Sequence, residues 1–329
     1  MLDSELFEPA ENSEPPEPFE SSESPELSGL LDTVAVAAAD VALRMRGPDK
    51  CEMAVGPRTF TLAAAPDALK PLADVITQVV PRLRRSVPVR RQLSGAEARQ
   101  LAPFAQRLRD MGVLLLPGKD VVIDDEPGRK LYAYICRRAT GPDRVFSAVR
   151  AQRIHVSGPE PVISLWPCLI REQGLNVSDT PADAALRIVA DSDEARLMAV
   201  NRGLCADRGS WLPVAFGAHR VRIGPWVRTG ESGCLRCHLP AYPETEPAPG
   251  PGPAAGWATL QPGCLYWTGG LVAHLALRAL LPMAAEHPWG RVTTVDASTG
   301  EQTSLTTWRD PFCPDCARYA PASREWVAL

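Results

Sequence analysis

The sequence predicts an α/β chain in two parts: a small winged helix-turn-helix module, then a larger domain on a parallel or mixed sheet that ends in a four-cysteine metal site. Three observations carry this. Between residues 32 and 118, three strand-like stretches precede helical ones, the order a winged helix requires. From residue 153, apolar strands and helices alternate, which implies a sheet covered on both faces. Cys234 and Cys237, and again Cys313 and Cys316, stand in C-x-x-C pairs, a spacing that lets two thiolates of one tight turn reach the same ion.

Composition sets the bounds. At 329 residues the length suits two domains with tails, and 45% hydrophobic residues suffice for ordinary cores. A net charge of −4 argues against general binding of nucleic acid. That charge is unevenly spread: residues 1–28 hold nine of the 39 acidic residues and no Lys or Arg, which leaves 30 acidic against 35 basic beyond them. Such a Glu/Pro/Ser-rich segment buries too little to offset its ordering entropy, so residues 1–30 are expected as a disordered, solvating acidic tail. The N-terminus carries no basic region followed by an apolar run, hence no signal peptide. The most apolar stretch, 265–285, includes His274, Arg278 and Pro282 and reads as a buried helix, not a membrane span. Cys51, Cys136, Cys168, Cys205 and Cys264 are scattered and read as reduced thiols, mostly buried. A cytoplasmic protein without membrane contact is the expectation.

The module opens with strands at 41–46, 51–55 and 58–62, separated by turns at Gly47-Pro48-Asp49 and Gly56-Pro57. A helix follows, with Pro66 near its start and Leu69, Leu72, Val75, Ile76 and Val79 at helical spacing. Residues 82–91 form a basic connector with five arginines, suited to phosphate contacts or to a solvated face. Ser94, with Glu97 three residues on, has the form of a capping box. The helix it would launch presents Ala98, Leu101, Phe104 or Ala105, Leu108 and Met111, with Pro103 expected to kink or split it. Gly112 is a natural stop, and residues 113–116 return as a short strand.

Residues 119–150 read as a charged connector with one helix at 130–138. In the domain at 151–329, strands are expected at 153–156, 186–190, 211–216, 220–223, 292–296 and 302–308. Helices are expected at 162–173, from Asp193 to about 206, and at 265–281; residues 240–256, rich in Pro, Ala and Gly, read as a flexible loop.

The two C-x-x-C pairs, with 75 residues between them, make a long-range clip. Four thiolates complete a closed tetrahedral site that zinc fills well, and no position remains for water or substrate, so Zn²⁺ is expected in a structural role. Two redox motifs are the bland reading of the same spacing. His238, next to Cys237, is either a spare ligand or a residue of the surroundings.

The strand–turn–helix at 153–174 has the layout of a Rossmann-type fold, whose phosphate loop needs glycines so that backbone N–H groups can approach the phosphates. Here only Gly158 remains; Pro159 and Pro161 lack N–H groups, and Glu160 adds a negative charge. The nucleotide site is degenerate and ATP is not expected. Asp191 and Asp193 are then a helix cap and surface charge instead of metal or ribose ligands. Cys264 approaches a helix start but reads as an inert thiol, and no Ser/His/Asp arrangement can be assembled. No catalytic residue is identified.

Gly224-Pro225-Trp226, Gly230, Gly233-Cys234-Leu235-Arg236-Cys237 and Asp310-Pro311-Phe312-Cys313-Pro314-Asp315-Cys316 resemble the C-terminal half of ThiF/MoeB-type adenylating proteins. Within that group the chain is similar to the divergent ocin-ThiF-like branch, the leader-peptide-binding proteins of gene clusters for thiazole/oxazole-modified microcins and thiopeptides. The resemblance covers about residues 120–318.

What the resemblance implies is a RiPP recognition element in the N-terminal module that binds a precursor's leader peptide as an added strand. The leader would lie between residues 58–62 and the helix at 96–111, against Arg58, Phe60, Leu62, Leu101, Phe104 and Leu108. Which of these face the groove and which the core is open, and Arg82–Arg91 would attract acidic leader residues. The resemblance further implies a non-catalytic subunit that scaffolds a YcaO cyclodehydratase for azoline formation, and it allows a homodimer. An ATP-dependent adenylating or sulfur-transfer enzyme is the second reading. A zinc-containing winged-helix DNA-binding protein is the third, though it leaves the α/β half unexplained and the acidic balance opposes it.

Overall fold

The computed structural model describes residues 36–37, 41–56, 58–63, 65–79, 95–115, 117–118, 120–217, 219–239, 262–281 and 287–319. The acidic tail, the Arg82–Arg91 connector, Ser94 and the 240–256 loop lie outside the described residues.

The N-terminal module starts with β1 (Val36–Ala37), β2 (Val41–Met45), β3 (Lys50–Val55) and β4 (Arg58–Ala63). The last three form an antiparallel sheet in the order β2-β3-β4, with Met53 opposite Phe60 and Cys51 opposite Leu62. Alternation puts Cys51, Met53, Val55 and Leu62 on the buried face. Helix α1 (Pro66–Asp74) has its proline in the first turn, where the missing N–H costs nothing, and runs into a π-helical turn at Val75–Val79. All five apolar positions expected on this helix are buried. Pro103 splits the next run: α2 (Gly95–Leu101) passes through a 3₁₀ turn (Ala102–Phe104) into α3 (Ala105–Asp110). Gly112 takes the left-handed conformation (φ +72°) that lets Val113 N–H reach Leu108 C=O. The chain then enters β5 (Leu114–Leu115), which pairs with β1. The short strand expected at 113–116 is thus present; its two-residue partner β1 has no periodicity to reveal it.

Residues 119–150, expected as a connector with one helix, carry two: α4 (Glu126–Cys136) and α5 (Pro142–Ala151). The first begins earlier than expected because Asp125 caps it, its carboxylate accepting from Gly128 N–H at 2.6 Å. Leu131, Tyr132, Ile135, Val145, Phe146 and Val149 are all buried and join the main core. Tyr132 and Phe146 meet edge to face at 5.3 Å, and the Tyr132 hydroxyl donates to Asp143 at 2.6 Å.

The main sheet runs β13-β12-β10-β9-β8-β6-β7, from β6 (Arg153–Ser157), β7 (Asn176–Val177), β8 (Leu186–Asp191), β9 (Ser210–Phe216), β10 (Arg220–Ile223), β12 (Arg291–Asp296) and β13 (Gln302–Thr306), with β11 (Val227–Arg228) attached to β9. The β7-β6-β8-β9 half is parallel and the β9-β10-β12-β13 half antiparallel. Helices cover both faces: α6 (Glu160–Glu172) and α9 (Pro262–Leu280) on one, α7 (Glu194–Ala206) on the other. Strand β9 shows why. Leu212, Val214 and Phe216 join the α6/α9 core, while Trp211 and Ala215, of opposite parity, join the α7 core. Trp166 of α6 donates from Nε1 to Leu265 C=O at 3.2 Å, and a Cβ on Gly269 would come within 2.6 Å of that indole, so only glycine allows the close α6–α9 approach. Among the described residues no helix is long and apolar enough to cross a membrane.

Candidate metal centre and ligand cleft

Under the α7 face lies the cysteine cluster. The first knuckle forms where Cys234 begins the short helix α8 (Leu235–His238), so that one turn brings Cys237 back beside it at 3.8 Å, sulfur to sulfur. The second knuckle closes with Ala317 N–H on Cys313 C=O. Across the pair, Cys234 lies 3.7 Å from Cys313 and Cys237 lies 3.5 Å from Cys316, and all four sulfurs fall within 4.8 Å of one another. A tetrahedron with Zn–S bonds of about 2.3 Å has sulfur–sulfur edges of about 3.8 Å, so the donor set fits a zinc ion in size and softness.

The surroundings orient the ligands. Asn201, fully buried in the middle of α7, donates from Nδ2 to Cys234 Sγ at 3.6 Å and to Asp315 Oδ2 at 2.7 Å, while its Oδ1 accepts from Leu235 N–H at 3.0 Å. Asp310 N–H donates to Cys237 Sγ at 3.4 Å. Arg309 ties the knuckles together through Gly230, Cys316 and Ala317 carbonyls at 3.3, 3.1 and 2.9 Å. The sulfur contacts split the thiols: Cys237 is held well below an ordinary thiol by hydrogen bonding from Cys234 and Cys316, and contacts with Cys205, Cys237 and Cys316 push Cys234 up. His238 is not one of the four; its Nδ1 pairs with the Thr307 hydroxyl at 3.1 Å, and burial lowers its pKa. Asn201 escaped the sequence reading. Its signal was present, a polar residue on the helix face otherwise made of Leu197, Met198, Leu204 and Cys205.

A second feature sits at the carboxyl ends of β6 and β8. Here a cleft of about 520 Å³ is lined by residues that include Ser157, Gly158, Pro159, Asp191, Asp193 and Arg196. Gly158 is required by close approach, since a Cβ there would lie 2.9 Å from Ala190 C=O. The two carboxylates of the cleft are engaged with neighbouring groups. Asp193 caps α7, accepting from Ala195 and Arg196 N–H at 2.8 and 3.4 Å, as the sequence suggested. Asp191 accepts from Asp193 N–H at 3.0 Å and pairs with Arg196 at 3.5 Å. Pro159 and Pro161 offer no N–H at the start of α6, and Val162 N–H is spent on Pro159 C=O.

The residues expected to hold a leader peptide fall into two groups. Leu62, Leu101 and Leu108 are buried in the module core, whereas Phe60 and Phe104 are half-buried at its margin and Arg58 is exposed. Strand β4 is an edge strand among the described residues.

No family model matches the chain, and no curated protein is similar to it in sequence. Solved structures are. The heterocyclase TruD superposes with a TM-score of 0.53 at 18% identity, over 87% of this chain and 43% of its own. A heterocyclase in complex with substrate and cofactor gives 0.56 at 15% identity, over 86% of this chain and 39% of its own. E. coli MccB gives 0.50 at 8% identity, over 88% of this chain and 98% of its own. The chain thus has the fold of these proteins, spans less than half the length of the heterocyclases, and spans nearly all of MccB.

Proposed function

We propose that the chain is a leader-peptide-binding and scaffolding subunit of an azoline-forming heterocyclase, acting in the biosynthesis of a thiazole/oxazole-modified peptide or thiopeptide. The observation that carries the reading is the overlap with heterocyclases: 86–87% of this chain is accounted for by 39–43% of theirs. What the heterocyclases hold beyond that shared part is, in this reading, the work of the YcaO cyclodehydratase that the resemblance names. In this reading residues 32–118 are a winged-helix RiPP recognition element, β4 accepts the leader as a fourth strand, and Phe60 and Phe104 offer its apolar residues a margin to pack on. Zinc has a structural part: four protein sulfurs close its shell, so it clips the C-terminal segment to α7 and takes no step in the chemistry.

The test is fluorescence anisotropy of the full chain with labelled leader peptides encoded beside its gene. Saturable binding is expected, weakened about tenfold or more by Phe60→Ala with zinc content unchanged, as for an anchor at an interface. No saturation with any such leader would sink the proposal.

The cleft and the match to nearly all of MccB favour a second reading, an ATP-dependent adenylating enzyme of the ThiF/MoeB type. Against it stand the two prolines and the self-satisfied carboxylates. ATP–pyrophosphate exchange by the purified chain would revive it.

A further inference from the structure

Two arginines of the N-terminal module stand by the open edge of its sheet with no carboxylate to answer them. Arg58 begins β4 opposite Val55, Phe60 stands opposite Met53, and Leu62 opposite Cys51. Residues paired across strands share a face, and Val55, Met53 and Cys51 are buried, so Arg58, Phe60 and Leu62 lie on the face turned to the module core. Exposure falls along that face from Arg58, in water, through half-buried Phe60 to buried Leu62. Arg107 is exposed on α3, three positions after half-buried Phe104 and so its neighbour on the helix surface. It stands toward the far end of β4: burial pushes the Cys51 thiol up, the nearby Arg107 guanidinium pulls it back, and Cys51 is the residue opposite Leu62. Among the described residues neither Arg58 nor Arg107 has an ion-pair partner. Glu52 is taken by Arg46 at 2.6 Å on the other face of the sheet, and Asp110 accepts from Gln106 at 2.8 Å.

We propose that Arg58 and Arg107 select the peptide that pairs with β4: a leader strand with an apolar residue flanked, two positions away on each side, by acidic residues. The inference rests on the leader-binding reading and adds the sequence that the groove accepts. Alternation supplies the spacing. In an added strand, residues two apart turn to the same face and advance about 3.3 Å per residue, as β4 does. With the apolar residue beside Phe60, one acidic residue comes level with Arg58 and the other with Leu62, where Arg107 stands. The pattern reads the same from either end, so it holds for a parallel or an antiparallel leader. Main-chain hydrogen bonds to β4 would hold any extended peptide; the two charges supply the choice and the register. A slip of one residue turns both acidic groups to the other face, and a basic residue at either place meets a like charge.

The experiment is fluorescence anisotropy of the full chain with the labelled leader encoded beside its gene, and with two copies of that leader in which one or the other acidic residue of the pattern is replaced by Lys. Each Lys-bearing leader is expected to bind the wild-type chain about tenfold more weakly than the natural one, a readout that leaves the protein untouched. Arg58→Glu and Arg107→Glu are each expected to weaken the natural leader by about the same factor. Each variant should regain affinity for one Lys-bearing leader and not for the other, because the two places lie four residues apart. No saturation with the natural leader would remove the leader-binding reading and this inference with it. Saturable binding that the arginine variants leave unchanged, losses that neither Lys-bearing leader restores, or a bound leader without the pattern would overturn this inference and leave that reading standing.

Discussion

The cysteine clip and the cleft are built on the same sheet, yet the two regions came to opposite ends. At the clip, four sulfurs converge within 4.8 Å and their neighbours point hydrogen bonds at them; the geometry is made for an ion. At the cleft, about 520 Å³ of room remains at the carboxyl ends of β6 and β8, but its two carboxylates accept from the chain's own amides. The difference teaches that a cavity at the carboxyl ends of parallel strands follows from the backbone, whatever polar groups line it. A metal site has no such scaffold to fall back on, because its ligands are its geometry. If so, damage at the clip should be felt through the whole domain, and damage at the cleft should stay local.

The largest effect is expected at the clip. Cys313→Ser removes one of four ligands from a centre that joins segments 75 residues apart. Metal binding contributes about 10–16 kcal/mol of apparent free energy to the folding of small zinc peptides. This domain has a core of its own, so a loss of several kcal/mol is expected, which lowers Tm by about 10 °C or more. Zinc content by atomic absorption should fall from one ion per chain to near none, and a strong chelator should produce the same Tm in the wild type. An unchanged Tm with lost zinc would reduce the clip to decoration and erase the contrast with the cleft.

The clip was legible beforehand, and the reason is locality: a C-x-x-C pair is set by one turn, so four neighbouring letters suffice. The main strands were legible as well, because alternation and apolar runs bounded by turns are local. What escaped depends on distant partners. The pairing of β1 with β5 joins residues nearly eighty positions apart through two-residue strands. Helix α5 hides its buried stripe of Val145, Phe146 and Val149 among Asp143, Arg144 and Arg150. Leu62, Leu101 and Leu108 illustrate a further limit: the amphipathic pattern that marks a groove is also the pattern of a core, and only packing separates them. Exposure of Trp308 and Phe312 is equally invisible in sequence, where an aromatic residue near a metal knuckle suggests burial.

Asn201 sharpens the comparison from inside the clip. Leucine has nearly the same shape, so Asn201→Leu keeps the packing and removes the polar contacts. It strands the buried Leu235 N–H and takes a partner from Asp315, which should cost about 1–3 kcal/mol. Loss of such supporting hydrogen bonds weakens metal sites about 10–100-fold, so competition with a chromophoric chelator should show that drop in zinc affinity. Lower stability without weaker zinc binding would mean that Asn201 serves the helix and not the metal.

The smallest effect is expected at the cleft, where Asp193 accepts from two amides at the start of α7 and Asp191 accepts from Asp193 itself. Asp193→Ala deletes an N-cap and should cost about 1 kcal/mol, visible as a small shift in the denaturant midpoint with zinc affinity unchanged. The substitution also tests whether the chain's own carboxylates stand in the place of an anion. The wild-type chain places carboxylates where the helix dipoles favour negative charge, Glu160 in the first turn of α6 and Asp193 and Glu194 at the start of α7. A helix end already neutralised by its own chain gains little from a phosphate. Removing Asp193 uncovers the Ala195 and Arg196 amides beside the Arg196 side chain, so weak stabilisation of the variant by inorganic phosphate, absent in wild type, is the expected result. Equal phosphate response in both proteins would show that the carboxylate does not occupy the anion's place, and the cleft would then have to be regarded as a working site.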